Sequence, residues 1–119
     1  KAVIFANPRD IHELTGNLIV NAIKYNEEGG SVDIVLKKQN DMIEFSVRND
    51  GEVIPLNKQG RVFERFYRVD KGRSRNVGGT GLGLAIVKHV VDSLNGVITL
   101  ESTEKTGTKF TVKLPCNNN

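Results

Sequence analysis

The sequence contains no apolar run that approaches the roughly 18 residues of a membrane-spanning helix. It shows no signal-peptide pattern either, since its first residues predict a strand. There is no initiating methionine, and we expect the chain to be a piece cut from a longer protein. The single cysteine, Cys116, excludes a disulfide within the chain and indicates a reducing compartment.

The sequence also lacks a large excess of positive or negative charge. The formal net charge of +3 is too small to imply a nucleic-acid partner by itself. The hydrophobic fraction of 38% and the charged fraction of 26% are typical of a globular domain. We find no internal repeat. The 119 residues therefore predict one domain over 1–115, followed by a disordered tail at 116–119.

The pattern of apolar residues and turn signals predicts four strands after a short first one, together with two main helices. The expected strands are 2–5, 31–37, 42–49, 96–101 and 108–114. The expected helices run from Asn7-Pro8 to about Tyr25 and from Leu82 to Leu94, with a possible short helix at 61–66. This order predicts an α/β sandwich (an α+β fold), in which helices cover one face of a mixed, mostly antiparallel sheet.

A glycine-rich run at 78–83 leads directly into the second long helix. Free backbone N–H groups and the positive end of the helix dipole meet at such a terminus, which suits a phosphate. The run matches neither the P-loop pattern nor the dinucleotide fingerprint. On these residues alone, a flexible loop that ends at a helix is an equally good interpretation.

Three polar residues share one face of the first helix: Asn17, Asn21 and Lys24 are spaced at i, i+4 and i+7. They could form a solvated rim of the helix. Beside a phosphate-binding loop, an asparagine oxygen is instead a suitable protein ligand for Mg²⁺, and a lysine supplies a mobile charge for phosphates.

Five segments together resemble the motifs of one protein family, in order and in spacing. Residues 17–25 resemble the N box of sensor histidine kinases, and 49–55 resemble the first glycine box. Residues 63–68 resemble the F box, 79–84 the second glycine box, and Gly107-Thr108 the last one. The resemblance covers nearly the whole chain. It implies the catalytic, ATP-binding domain of such a kinase, with the Bergerat fold shared with gyrase B and Hsp90.

The resemblance also implies roles for single residues. Asn21 would coordinate Mg²⁺, while Lys24 and Tyr25 would contact phosphates and ribose. Arg68 would reach the γ-phosphate, so Lys24 and Arg68 are the expected catalytic residues. Asn49 would accept a hydrogen bond from the adenine amino group. The other implied residues of the nucleotide site are Asn17, Gly51, Ile54, Phe63, Tyr67, Gly79, Thr80, Gly81, Leu82, Gly83, Leu84 and Thr108.

The sequence departs from the family pattern at three positions. Asn49 stands where an aspartate is usual, with Asp50 as the competing candidate one residue along. Val53 replaces the second glycine of the first glycine box. Asn17 occupies the position at which ATP-hydrolysing relatives carry a glutamate that acts as general base on water. Because an amide cannot take up a proton at neutral pH, we expect little ATP hydrolysis.

The resemblance implies ATP and Mg²⁺ as cofactors and a lid over roughly 56–80, anchored by Phe63 and Phe66. It implies a phosphoacceptor histidine on the dimerisation domain of the same protein, in a full-length homodimer, and a cognate response regulator. The domain would be the cytoplasmic part of a membrane-anchored bacterial sensor, without a nucleic-acid partner.

His12 and His89 are expected to be ordinary helix residues. An anti-sigma-type serine kinase and a nucleotide-binding module without catalysis remain alternatives. A cationic single-strand nucleic-acid surface at 58–75 is a further interpretation of the lid.

Overall fold

The computed structural model describes residues 2–4, 6–64 and 83–118. Its elements are β1 (Ala2–Val3), α1 (Pro8–Lys24), β2 (Val32–Gln39), β3 (Met42–Asn49), α2 (Leu56–Gln59), α3 (Gly83–Ser93), β4 (Val97–Thr103), β5 (Gly107–Pro115) and β6 (Asn117–Asn118). Four strands form one sheet in the order β2-β3-β5-β4, and β1 pairs with β6. Every strand pair in the described ranges is antiparallel, so the expected α/β sandwich is confirmed with a sheet that is not mixed there.

Helix α1 begins and packs as its sequence predicts. The side chain of Asn7 caps it by accepting a 2.9 Å hydrogen bond from Arg9 N, and Pro8 fits the first turn. Leu14, Leu18 and Ala22 are buried along one stripe of the helix. Because this stripe faces the core, polar residues of α1 lie on the other sides of the helix.

Helix α3 packs against α1 and buries Val87, Val90 and Val91. After its last residue, Ser93, the chain turns at Asn95, the predicted stop signal, which adopts a φ of 60°; Gly96 N then donates to Val91 O at 2.9 Å. The two helices cover the sheet face formed by alternate residues of β3 and β5, including Val47, Phe110, Val112 and Leu114. The core therefore lies between one helical layer and one sheet.

The hairpin between β2 and β3 turns at Asn40 and Asp41, close to the predicted position, and Asn40 has a φ of 58°. Strand β2 lies at the sheet edge. Its apolar residues Ile34 and Leu36 pair with the core-facing side of β3 but remain exposed.

Two expectations differ from the structure. The short helix lies at Leu56–Gln59, whereas 61–63 form a turn. Gly60 ends the helix, and the chain then turns so that Val62 becomes buried in the core. The predicted disordered tail is also ordered at 117–118, where β6 pairs with β1. It is held by Cys116, which is buried and whose N–H donates to Asp41 O at 2.8 Å.

Candidate functional site

The polar edge of α1 lies against the start of α3. Nδ2 of Asn17 donates a 2.7 Å hydrogen bond to Glu13 O. Oδ1 of the same amide lies only 3.1 Å from the position that a β-carbon on Gly83 would take. Glycine at the first position of α3 therefore permits the close approach of the two helices.

One turn further along α1, the side chain of Asn21 is half-buried. Among the described residues, no group forms a hydrogen bond with its amide, in contrast to the amide of Asn17. Lys24 and Tyr25 follow at the end of the helix, and both are exposed. Lys24 forms no ion pair with a described residue. Helical spacing puts Asn21 and Lys24 on the same side of α1 as Asn17, the residue that lies against Gly83.

A second group of residues lies at the end of β3. Asn49 is only 3% exposed, and its Nδ2 donates a 3.3 Å hydrogen bond to Tyr25 O. Its partner in the neighbouring strand β5 is Thr108, which is also buried. Gly51 lies so close to Tyr25 O that a β-carbon there would collide with it. These contacts join the end of α1 to the first glycine box.

Asp50, the competing candidate for the adenine contact, is committed elsewhere. Oδ2 accepts hydrogen bonds from Ser31 N at 2.9 Å and from Ser31 Oγ at 3.1 Å, and Oδ1 lies 2.6 Å from a guanidinium nitrogen of Arg48. The hydrogen bonds from Ser31 and Arg48 hold the pKa of the Asp50 carboxyl below its ordinary value of 3.8. The Asp50 side chain therefore anchors β2 to the end of β3.

The loop after Gly51 is fixed by a pair of buried hydroxyl groups. Ile54 N donates to Ser102 Oγ at 2.8 Å, and Ser102 Oγ lies 2.8 Å from Thr108 Oγ1. Thr108 Oγ1 also reaches Glu52 O at 3.5 Å. Sequence reasoning missed Ser102. The signal was its position on the core side of β4, after Ile98 and Leu100 and opposite Thr108.

The beginning of the expected lid is attached to the core. The ring of Phe63 meets Phe110 edge-on, with centroids 5.9 Å apart, and Val62 is buried beside it. This agrees with Phe63 as an anchor of that segment. Ile54 and Leu84 are half-buried and pack on the same core. Val53, in place of the usual glycine, is 39% exposed.

Several predicted site residues lie outside the described ranges. These are Phe66, Tyr67, Arg68, Gly79, Thr80, Gly81 and Leu82. The described part of the site thus holds the end of α1, the end of β3 with its glycine loop, and the first turn of α3. Both His12 and His89 are exposed on their helices, as expected. No described helix has the length and apolarity needed to cross a membrane.

Comparison with known proteins identifies a family that covers nearly the whole chain. The family model for histidine kinase-, DNA gyrase B- and HSP90-like ATPases matches residues 6–118. The chain is 52% identical over 99 residues to the sensor-like histidine kinase SenX3 of Mycolicibacterium smegmatis, which covers 83% of this chain and 26% of that protein.

Two solved structures share the fold. The mycobacterial sensor histidine kinase MprB matches with a TM-score of 0.85 at 28% identity, over 99% of this chain and 80% of that one. Full-length ShkA, solved in complex with AMPPNP, matches with a TM-score of 0.83 at 25% identity, over 100% of this chain and 24% of that one. The chain thus spans about a quarter of the length of SenX3 and ShkA. The resemblance inferred from the sequence is confirmed: the chain belongs to the family of histidine kinase-, DNA gyrase B- and HSP90-like ATPases.

Proposed function

We propose that this chain is the ATP-binding catalytic domain of a sensor histidine kinase. It binds Mg-ATP and transfers the γ-phosphoryl group to a histidine on a dimerisation domain of the same protein. The observation that carries the proposal is the contact between Asn17 and Gly83, which sets the polar edge of α1 beside the first turn of α3. Asn21 and Lys24 follow Asn17 at helical spacing, which supports a site beside the start of α3, because a helix N-terminus favours a triphosphate.

The described residues fit a magnesium–nucleotide ligand. The Asn21 amide has no hydrogen-bond partner among them, and an amide oxygen is a suitable ligand for Mg²⁺. Asn21 would therefore hold the metal through its side-chain oxygen. When bound, Mg²⁺ neutralises charge on the phosphate oxygens.

The protein's own groups would bind and orient the phosphates. Backbone N–H groups at the start of α3 donate hydrogen bonds to phosphate oxygens, and the Lys24 ammonium supplies a point charge. Arg68, by its place after the F box, would add a charge at the γ-phosphate. Phosphoryl transfer needs chiefly such positioning and charge neutralisation.

With Asn17 at this position, water is a poor acceptor of the phosphoryl group. Its amide cannot serve as a base at neutral pH, and its nitrogen is already engaged with Glu13 O. A neutral histidine is a better nucleophile and needs less help from a base. The site therefore favours transfer to a histidine over hydrolysis.

At the other end of the nucleotide, Asn49 would accept from the adenine amino group, with Gly51, Ile54 and Thr108 forming the wall around it. Support comes from the burial of Asn49 and from the engagement of Asp50 with Ser31 and Arg48. Tyr25 would contact the ribose and phosphates from the end of α1.

The remainder of the protein would supply the phosphoacceptor domain, and the full-length protein would be a homodimer that passes its phosphoryl group to a response regulator. The matched segments make up only 26% of SenX3 and 24% of ShkA, which leaves room for such parts. We further propose that the parent is a membrane-anchored bacterial sensor and that this domain lies in the cytoplasm.

A phosphotransfer assay tests the function. The chain is incubated with γ-labelled ATP, Mg²⁺ and the purified dimerisation domain of the parent protein. We expect an acid-labile, base-stable phosphohistidine. Asn21→Ala should lose most of the label, whereas the control Lys88→Ala, which only breaks an exposed ion pair with Asp92, should keep it. Acid-stable phosphoserine on an added protein would indicate the anti-sigma type. ATP binding without any transfer would indicate a module that has lost catalysis.

A further inference from the structure

We propose that the backbone carbonyl of Tyr25 determines the purine preference of this site, because it holds the Asn49 amide with its oxygen turned toward the base. The inference rests on the proposed function, since it concerns the base of a bound nucleotide. It assigns Tyr25 O and Gly51 as the groups that position Asn49.

An asparagine at this position raises a problem that an aspartate does not. Adenine presents an amino donor at its 6-position, whereas guanine presents an oxygen acceptor there. A carboxylate only accepts hydrogen bonds and therefore selects adenine. An amide both accepts and donates, and the last side-chain torsion of asparagine is broad and roughly two-fold. An unrestrained Asn49 could turn over and bind either purine.

The structure restrains the amide. A carbonyl oxygen can only accept, so the group of Asn49 that faces Tyr25 O at 3.3 Å must be the nitrogen. The oxygen then points away from Tyr25, and no described group donates to it. If the amide turned over, two acceptors would face each other at a residue that is 3% exposed. Burial makes that arrangement costly, because little water can replace the lost partner.

The carbonyl of Tyr25 is itself held in place. Asn26 N, which shares a peptide unit with Tyr25 O, donates to Ile23 O at 3.4 Å, so this unit continues the last turn of α1. On the next residue, Asn26 Oδ1 accepts a 2.9 Å hydrogen bond from Asp50 N. The second bond ties the end of α1 to Asp50, the residue after Asn49.

Gly51 permits the contact between Tyr25 and Asn49. A β-carbon at position 51 would collide with Tyr25 O and would lie 2.8 Å from Asn49 Nδ2. An alanine there must displace the carbonyl, the amide or both. Gly51→Ala is therefore the substitution that releases the amide while leaving Asn49 itself in the chain.

The test compares the affinities of the chain for ATP and GTP by calorimetry. We expect the wild type to bind ATP about ten- to a hundredfold more tightly than GTP. This is the affinity difference expected when adenine forms one buried hydrogen bond with Asn49 and guanine cannot form it. Gly51→Ala should lower the ATP-to-GTP ratio by about tenfold. Asn49→Asp should keep the ratio at or above that of the wild type, because a carboxylate cannot donate. The matched control is Gly16→Ala in α1, where a β-carbon meets nothing within 4 Å, and its ratio should equal the wild-type ratio.

A second measurement does not depend on the folding of the Gly51 variant. In the wild type, NMR should show two resolved Asn49 side-chain amide protons whose exchange with water is slowed before nucleotide is added. Rapid exchange of these protons would overturn the inference. So would equal affinity of the wild type for ATP and GTP, or a Gly51→Ala protein that folds and keeps the wild-type ratio. If the wild type binds neither nucleotide, it is the proposed function that fails.

Discussion

Asn17 and Gly83 are packed so closely that a single β-carbon on Gly83 would lie 3.1 Å from the amide oxygen of Asn17. The amide cannot easily turn away, because its nitrogen is bonded to Glu13 O. The contact thus sets the spacing between α1 and the first turn of α3, the two elements proposed to face the phosphates.

This contact predicts energetic coupling between the two positions. Gly83→Ala should be destabilising or neutral in the wild type, because the new β-carbon presses on Asn17. In an Asn17→Ala background the same change should be stabilising, since alanine is the better helix former. We expect a coupling of about 0.5–1 kcal/mol in a double-mutant cycle by urea denaturation. Strictly additive effects would show that the two side chains do not restrain each other.

Asn21 is predicted to carry the metal dependence of nucleotide binding. Calorimetry with ATP, in excess Mg²⁺ and in EDTA, should show that Asn21→Ala loses roughly tenfold or more in affinity only when Mg²⁺ is present. The control is Val20→Ala, a neighbouring change on α1 at a side chain that is 48% exposed. An unchanged metal-dependent affinity in Asn21→Ala would exclude Asn21 as the ligand.

Asp50 is predicted to stabilise the fold without contacting the adenine base. Its pKa is lowered in the folded chain, chiefly by the Ser31 backbone hydrogen bond. It therefore contributes stability above the unfolded pKa, and that contribution is lost as the pH falls through the lower, folded value. Asp50→Asn should lower the melting temperature at pH 7 and flatten its decline below about pH 4.

The same Asp50→Asn protein should keep its affinity for ATP at pH 7, because the carboxylate faces Ser31 and Arg48. If Asp50→Asn greatly lowers the affinity for ATP and Asn49→Leu does not, then Asp50, and not Asn49, contacts the adenine.

Ser102 is predicted to hold the base loop. Ser102→Ala removes the acceptor of Ile54 N and the partner of Thr108, and should cost about 1–3 kcal/mol of unfolding free energy. Hydrogen exchange at residues 52–56 should accelerate more than in the core of the sheet. The control is Thr103→Ala, whose hydroxyl serves the adjacent turn through Thr106. Equal acceleration in both variants would show that Ser102 has no particular role in the loop.

Much of the fold follows from local patterns. The cap at Asn7, the apolar stripe of α1 and the stop at Asn95 each depend on neighbouring residues, and each is where the sequence indicates. The same is true of the side-by-side placement of Asn17 and Asn21. Helical spacing alone puts them on one edge of α1.

What the sequence did not reveal depends on contacts between distant segments. The pairing of β6 with β1 joins the two ends of the described chain, and two-residue strands leave no periodic pattern. The turn at 61–63 is set by the burial of Val62, which local helix propensity does not report. Ser102 becomes informative only when antiparallel register places it opposite Thr108 and within reach of Ile54. The restraint on Asn49 likewise depends on Tyr25, on another element.

The edge-on contact between Phe63 and Phe110 also bears on how the chain folds. The connection between β3 and α3 is long, and closing it as a single loop has an entropic cost that grows with its length. Once Phe63 docks on β5, that connection is divided into two shorter segments that can close one after the other. We therefore expect Phe63→Ala to slow the folding of the domain as well as to lower its stability, provided that the aromatic pair forms before α3 packs.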